Sequence, residues 1–431
     1  MWVRIPPCAI SQYYSLHVAR DGFKANVIIK VKKYMKDLEV RKILKAETKR
    51  QRETIELIAS ENFVSDEIKN MAGSIFCNKY TEGYPGNRYY GGCERYDELE
   101  SLCQKRWLQV FNAENEYHCN VQPHSGSQAN FAAYMALLKP GDTILSMSLD
   151  QGGHLSHGSS VNFSGKLYNV IFYNVKENGI IDYDDIEVKI RTNKPKLILA
   201  GASAYSREIN FLRIKNIITK EKVDGLLSFG EEYNPYFMVD MAHIAGLIAA
   251  GDHQSPFGLA DVITTTTHKT LRGPRGGLIF CKKELARKID KAVFPGSQGG
   301  PLQHIIAAKA VCALECLQPE YKEYIHKVVK NTAAMCNEFI KMGYNVITGG
   351  TDNHLFLLDL TKFNITGKDL QEACDKNGIT LNKNAIPNDP LPPNLTSGVR
   401  IGCAAETTRG LEENDFRTIA RKIDKIINEI H

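Results

Sequence analysis

Apolar and polar positions follow two different periods along this chain. Between residues 119 and 281, short apolar runs of strand length recur at 143–149, 196–200, 236–240 and 278–281. Longer stretches lie between them, and 128–138 reads as a helix. Strands alternating with helices predict an α/β fold built on a mostly parallel sheet. Ligands bind beyond the carboxyl ends of such strands. Ser125, His154, Ser203, Asp240, His243 and Lys269 all fall at or just after a predicted strand end. Upstream, 37–58 predicts a charged helix and 96–111 another. Residues 78–92, NKYTEGYPGNRYYGG, predict a loop, because four glycines and a proline interrupt any period. Its four tyrosines beside Glu82 and Arg88 suggest a recognition surface.

The stretch 261–277, DVITTTTHKTLRGPRGG, joins two of these strands. The β-branched run from Val262 to Thr267 favours an extended backbone. His268 and Lys269 follow where the strand should finish, and RGPRGG then breaks regular structure. A lysine held between two apolar strands is partly desolvated. Desolvation lowers its pKa and makes it a competent amine for Schiff-base chemistry. Taken alone, a Thr-His-Lys tripeptide is a solvated basic turn or a phosphate-binding patch, so its companions must decide. Ser125-Gly126-Ser127 heads a helix, where it either caps that helix or offers N–H groups and hydroxyls to a phosphate. Asp240 either caps a helix or pairs with a ring nitrogen. His154 either bonds to its own loop or stacks on a planar ligand. A lysine amine, a phosphate cradle and an aspartate at a strand end are the parts a pyridoxal phosphate site requires.

Charge removes one class of partner. The formal charge of +5 resides in residues 1–34, which hold six basic groups and one acid, so residues 35–431 sum to zero. No nucleic acid is therefore expected as a partner. No apolar run approaches membrane-spanning length, so no membrane is expected either. Eleven scattered cysteines show no Cys-x-x-Cys spacing and no zinc-like cluster, which predicts a reducing compartment and no metal site. Residues 1–34 are basic and poor in acids, as a mitochondrial presequence is, but Pro6, Pro7 and Gly22 interrupt any helix there. Met35 opens a better helix. The native start is expected there, with 1–34 an extension that is disordered or not native. The cytoplasm is the expected compartment, with the mitochondrion as the alternative if 1–34 is a presequence.

Ten stretches then carry a resemblance. They are IELIASENF (55–63), NKYTEGYPGNRYYGG (78–92), VQPHSGSQAN (121–130), GGHLSHG (152–158), VDMAHIAGL (239–247), TTTTHKTLRGPRGG (264–277), VFPGSQGGP (293–301), GGTDNHL (349–355), NKNAIPND (382–389) and SGVRIG (397–402). In this order the chain resembles the serine hydroxymethyltransferases, which are fold-type I pyridoxal-phosphate enzymes. The resemblance implies an aspartate aminotransferase-like fold with a large, seven-stranded, mostly parallel sheet. It also implies an N-terminal arm over 35–75, a large cofactor-binding domain over 76–300 and a small C-terminal α+β domain over 301–431. The implied reaction moves the hydroxymethyl carbon of L-serine to tetrahydrofolate, giving glycine and 5,10-methylenetetrahydrofolate. A homodimer with shared active sites is implied as well.

Roles carry over at matching positions. Lys269 resembles the lysine that holds pyridoxal 5'-phosphate through an imine, with His268 and Thr266 beside it. Ser125, Gly126 and Ser127 resemble the phosphate cup, and Gly299 and Gly300 the neighbouring subunit's part of it. His154 matches the stacking histidine and Asp240 the pyridinium partner. Ser203 and His243 match contacts to the cofactor's phenolic oxygen. Arg400 matches the clamp on the substrate carboxylate, a task that suits a planar guanidinium. Ser60 and Tyr80 resemble further substrate groups, and Glu82 the acid/base carboxylate from across the dimer, near Tyr89 and Tyr90. Leu149, Gly153, Leu155 and Asn384 match contacts to folate.

The chain departs from the family in four places. An insertion of about a dozen residues lies within 219–234, where a loop absorbs length at little cost. Cys403 and Ala404 replace a Thr-Pro pair after the arginine, and Pro392-Pro393-Asn394 replaces a segment that lies near folate. The chain ends at His431, before a final helix that most relatives possess. Two other readings remain to be weighed. One is a cofactor-binding scaffold without turnover, which the presence of the full reactive set opposes. The other is an aldolase or aminotransferase of the same fold, which the 78–92 stretch opposes.

Overall fold

The structure, a computed structural model, describes residues 37–229 and 233–431. The expected extension over 1–34 and the expected start at Met35 lie outside the described residues. The chain divides into two units, 1–52 and 53–431. The described part of the first unit, 37–52, holds all but the last residue of α1 (Leu38–Glu53), a charged helix in which Glu47 accepts two hydrogen bonds from Arg50. Helix was expected as far as residue 58. It stops at Glu53 because Ile55–Glu56 is drawn out as a strand parallel to Ile379–Thr380. Ile55 N–H donates to Gly378 O at 2.9 Å and Leu57 N–H to Thr380 O at 2.8 Å, so a tertiary contact overrides local helix propensity.

The second unit holds the large sheet. Its strands are β1 (Tyr117–Asn120), β2 (Thr143–Met147), β3 (Asn169–Tyr173), β4 (Leu197–Ala200), β5 (Tyr236–Asp240), β6 (Val262–Thr266) and β7 (Gly277–Lys282). Their order is β1-β7-β6-β5-β4-β2-β3. β7 alone is reversed, running antiparallel to β1 and β6, so the sheet has the seven strands and mostly parallel sense that the resemblance implies. Alternate residues feed two cores. Phe237, Val239, Ile263, Leu278 and Phe280 face one, and Met238, Val262, Ile279 and Cys281 face the other. Burial on both faces explains why these strands read as unbroken apolar runs. The register sets Asp240 beside Thr264 and Thr266 beside Gly277, so three strand ends open on one edge.

A smaller antiparallel sheet follows: β8 (Asn345–Val346), β9 (Leu355–Asp359), β10 (Asn382–Asn384) and β11 (Gly398–Gly402), in the order β8-β9-β11-β10. Phe356, Leu358, Val399 and Ile401 pack there with Phe416 and Ile423 of the last helix, Glu413–Ile430, and with Leu57. Gly402 lets Ala59 approach, since a Cβ on it would lie 2.4 Å from the Ala59 Cα. Ser60 thereby comes to the same edge as the ends of β5 and β6. The 78–92 stretch is not all loop, because Gly83–Tyr84 pairs with Asn87–Arg88 as a short ribbon. The expected insertion over 219–234 begins inside the helix Phe211–Phe229, and residues 230–232 lie outside the described residues. Ten cysteines are described; Cys77 is exposed and the other nine are buried. No helix among the described residues is long and apolar enough to cross a membrane.

A buried cation ties the large sheet to the helix Gln303–Cys316. Lys309 Nζ donates to Val121 O at 2.7 Å, Gly277 O at 2.8 Å and Pro123 O at 3.0 Å. Burial lowers its pKa to about 8. Lys309→Met keeps the side chain's length and removes all three donors. It should lower the free energy of unfolding by roughly 3 kcal/mol, seen as an earlier urea midpoint. A midpoint equal to wild type would mean that the three carbonyls need no cation.

Candidate active site

The ends of β5 and β6, the head of the helix Gly126–Leu137 and the small sheet enclose a cavity of about 380 Å³. Ser60, Ser125, Gly126, Ser127, His154, Ser203, Asp240, His243, Thr266, His268, Lys269 and Arg400 line it, and the sequence singles out every one. Asp240 sits at its base. His157 Nε2–H donates to Oδ2 at 3.0 Å, Asn130 Nδ2 donates to the same oxygen at 2.9 Å, and the Ala242 N–H caps Oδ1 at 3.1 Å. Burial alone would push this carboxyl up. The His157 bond, the neighbouring imidazoles and the Asn130 bond outweigh it and hold the group charged, well below the usual carboxylate range. His157 is itself oriented, since its Nδ1 accepts from the His154 N–H at 3.2 Å. His154 Nδ1 meets Ser156 Oγ at 2.7 Å, and burial and the neighbouring His157 lower its pKa to about 4, against the pull of Asp240.

The amine and the guanidinium share this desolvated space. Burial lowers the Lys269 pKa to about 8; Asp240 opposes the fall, and Arg400 and Arg275 add to it. Arg400 comes from β11, and burial brings it to about 10. One of its nitrogens donates to Ser203 O at 2.7 Å and Nε donates to Asn382 Oδ1 at 3.3 Å. Ser125 is the N-cap of the Gly126–Leu137 helix, accepting from the Gln128 N–H at 3.1 Å. The four threonines divide their work. Thr264 donates to Asn130, Thr265 to a backbone carbonyl and Thr267 to Pro274 O, while the Thr266 hydroxyl is buried at the cavity without a partner among the described residues.

A second group of predicted residues gathers elsewhere in the chain. A Cβ on Gly299 would lie 3.3 Å from a Glu82 carboxylate oxygen, and one on Gly300 would lie 2.9 Å from the Tyr80 ring. Tyr80 and Tyr89 both pack against Tyr90, with centroids 5.8 and 5.5 Å away. None of these residues is among the described lining of the cavity, nor are Leu149, Gly153, Leu155 and Asn384. Leu149 and Leu155 are exposed on the turns that flank His154, and Asn384 lies on β10 opposite Gly398. Sequence reasoning passed over His157, Asn130, Glu61 and Arg275. His157 and Asn130 stand in quoted stretches, but nothing in a one-dimensional pattern says that both reach Asp240. Arg275 lines the cavity from the loop after Lys269 and helps to lower His268 to about 3, an effect in which burial leads.

The donor set suits pyridoxal phosphate. A partly neutral lysine amine, a charged carboxylate and a serine-capped helix start converge with the orphaned Thr266 hydroxyl. His154, His157 and Asp240 also lie close enough to hold a metal ion, but Oδ2 of Asp240 already accepts from two donors. The sequence model of serine hydroxymethyltransferase matches residues 33–423. The chain belongs to the serine hydroxymethyltransferase family. It is a pyridoxal-phosphate-dependent transferase of one-carbon groups that interconverts serine and glycine, with tetrahydrofolate as co-substrate.

Asp240 is held ionised although it is buried, and this makes His157 testable. His157→Leu removes one of the two donors on Oδ2. Affinity for pyridoxal phosphate should fall roughly 10- to 100-fold, the size of one charge-assisted hydrogen bond. Equilibrium dialysis measures it, and His157→Gln, which keeps a donor, should recover most of the loss. Undiminished affinity in the leucine variant would free Asp240 from its dependence on His157.

Proposed function

We propose that serine and glycine are interconverted in this cavity, that Lys269 carries the cofactor, and that a second copy of the chain completes each site. The observation that carries this reading is the convergence of Lys269, Asp240, His154, Arg400 and Ser125–Ser127 from separate stretches into one cavity. Pyridoxal phosphate, when bound, supplies an electron sink for the pair released at the substrate's α-carbon. Asp240, held charged by His157 and Asn130, would keep a proton on the cofactor's ring nitrogen. His154 would pack against the ring as a neutral imidazole, held by Ser156. Ser125, Gly126 and Ser127 would hold the phosphate, joined by Gly299 and Gly300 of the neighbouring copy. Ser203, His243, His268 and Thr266 would surround the remaining polar atoms of the cofactor.

Substrate handling follows from charge and shape. Arg400 is buried, cationic and partly engaged by Ser203 and Asn382, so its remaining N–H groups can take a carboxylate. Ser60 lines the same space. Lys269, with its pKa near 8, has an appreciable neutral fraction at physiological pH and can accept or return a proton. Glu82 of the neighbour would take the serine hydroxyl proton, with Tyr80 beside it. Leu149, Gly153, Leu155, Asn384, Tyr89 and Tyr90 would meet the folate and the outer part of the substrate.

Borohydride reduction followed by peptide mapping should find a pyridoxyl group on Lys269 and none after Lys269→Ala; a label on another lysine would reassign the anchor. Only the neutral amine attacks, so capture of added cofactor should speed up as pH rises and level off near 8 rather than near the ordinary lysine value of 10.5. Rates still climbing above pH 9 would contradict a depressed amine.

Sharing of sites is tested by mixing inactive Lys269→Ala and Glu82→Ala proteins. A mixed dimer then has one site with both lesions and one with neither. Half of randomly exchanged dimers are mixed, so about a quarter of the wild-type activity should return. Exchange proved by mass spectrometry with no activity would mean that Glu82 serves its own subunit.

A further inference from the structure

Behind the cavity wall a second imidazole touches the first. His243 follows β5 and lines the cavity; His354 stands just before β9 and is fully buried. His243 Nδ1 and His354 Nε2 are 3.1 Å apart, in rings whose planes meet at 30°. Both backbones are pinned. His243 O accepts from Thr270 Oγ1 at 2.9 Å, His354 O accepts from the Cys403 N–H at 3.2 Å, and Asn353 donates to Tyr205 O at 2.9 Å. Burial, with Lys269 and Arg400 close by, disfavours a second proton on either ring. Each imidazole is therefore neutral with one proton, and a single hydrogen lies between the two facing nitrogens.

The far side of His354 decides which ring supplies that hydrogen. Its Nδ1 is buried and has no hydrogen-bond partner among the described residues. A buried N–H without an acceptor is a rarer and costlier defect than an unused lone pair. The His354 proton therefore belongs on Nε2, which donates to His243 Nδ1. The His243 proton then belongs on its own Nε2, the nitrogen left to the cavity. We infer that His354 is a positioning residue that holds His243 as the Nε2–H tautomer and so presents a fixed hydrogen-bond donor to the cavity. The opposite arrangement would strand a proton on His354 Nδ1 and turn a lone pair toward the ligand. A fixed donor favours an anionic ligand oxygen. The identity of that oxygen as the cofactor's phenolate rests on the function proposed above, whereas the tautomer does not.

The full-length protein, labelled with [15N]histidine and carrying pyridoxal phosphate, tests this by long-range 1H–15N correlation. The His243 signals are those lost in His243→Asn. His243 should be protonated at Nε2, with Nδ1 showing the shift of a nitrogen that accepts a hydrogen bond. His354→Gln retains a donor and should keep that pattern. His354→Glu offers only an acceptor when its carboxyl is ionised, which the 13C shift of that carboxyl reports, and should then move the His243 proton to Nδ1. Protonation of His243 at Nδ1 in the wild-type protein would overturn the proposal, even if neither variant folds. So would an unmoved proton in a folded His354→Glu protein whose new carboxyl is ionised. The spectra can also be recorded without cofactor, so failure of Lys269 to take the borohydride label would count against the cofactor reading alone.

Discussion

A carboxylate removed from water stays ionised only if donors surround it, and Asp240 draws its donors from three separated parts of the chain. His157 arrives on the short turn after β2, Asn130 on the helix Gly126–Leu137, and the Ala242 N–H on the turn beyond β5 itself. Both side-chain donors are committed elsewhere too. Asn130 Oδ1 accepts from Thr264 on β6, and His157 Nδ1 accepts from the backbone of His154. A charge at the base of the cavity thus sets the positions of the helix start that precedes it, the imidazole beside it and the strand next to it. Lys269 depends on the same charge, which partly offsets what burial does to its amine.

The periodicity of the chain made the large sheet legible. Strands buried on both faces leave unbroken apolar runs, and these survive as a signal without knowledge of their neighbours. The strand ends were legible for the same reason, and with them Ser125, His154, Asp240 and Lys269. Elements that owe their state to a distant partner were not legible. Ile55–Glu56 reads as the tail of a helix until Ile379–Thr380 is known to lie beside it. The ribbon within 78–92 is hidden by its glycines.

The polar contacts behind the site mark the sharper limit. His157 and Asn130 stand in conspicuous stretches, but their function is a distance to Asp240, and no spacing in one dimension encodes it. His354 and His243 are over a hundred residues apart in sequence and touch through one hydrogen bond. The resemblance supplied names for the lining residues. It assigned nothing to the layer behind them, where a ring nitrogen without a partner among the described residues is visible only in three dimensions.

The distribution of thiols has a practical consequence. Alkylating reagents need a sulfur that meets water, and nine of the ten described cysteines do not. Burial also pushes the thiols of Cys103, Cys336, Cys374 and Cys403 up to about 12, which leaves almost no thiolate to react. Cys77 stands alone among the described cysteines in facing solvent, three positions ahead of Tyr80 and five ahead of Glu82. Among the described residues, a maleimide fluorophore would therefore find one address on the folded protein. That address lies on the segment proposed to reach across to a neighbouring copy, so the dye's emission would become an optical record of two subunits meeting and parting.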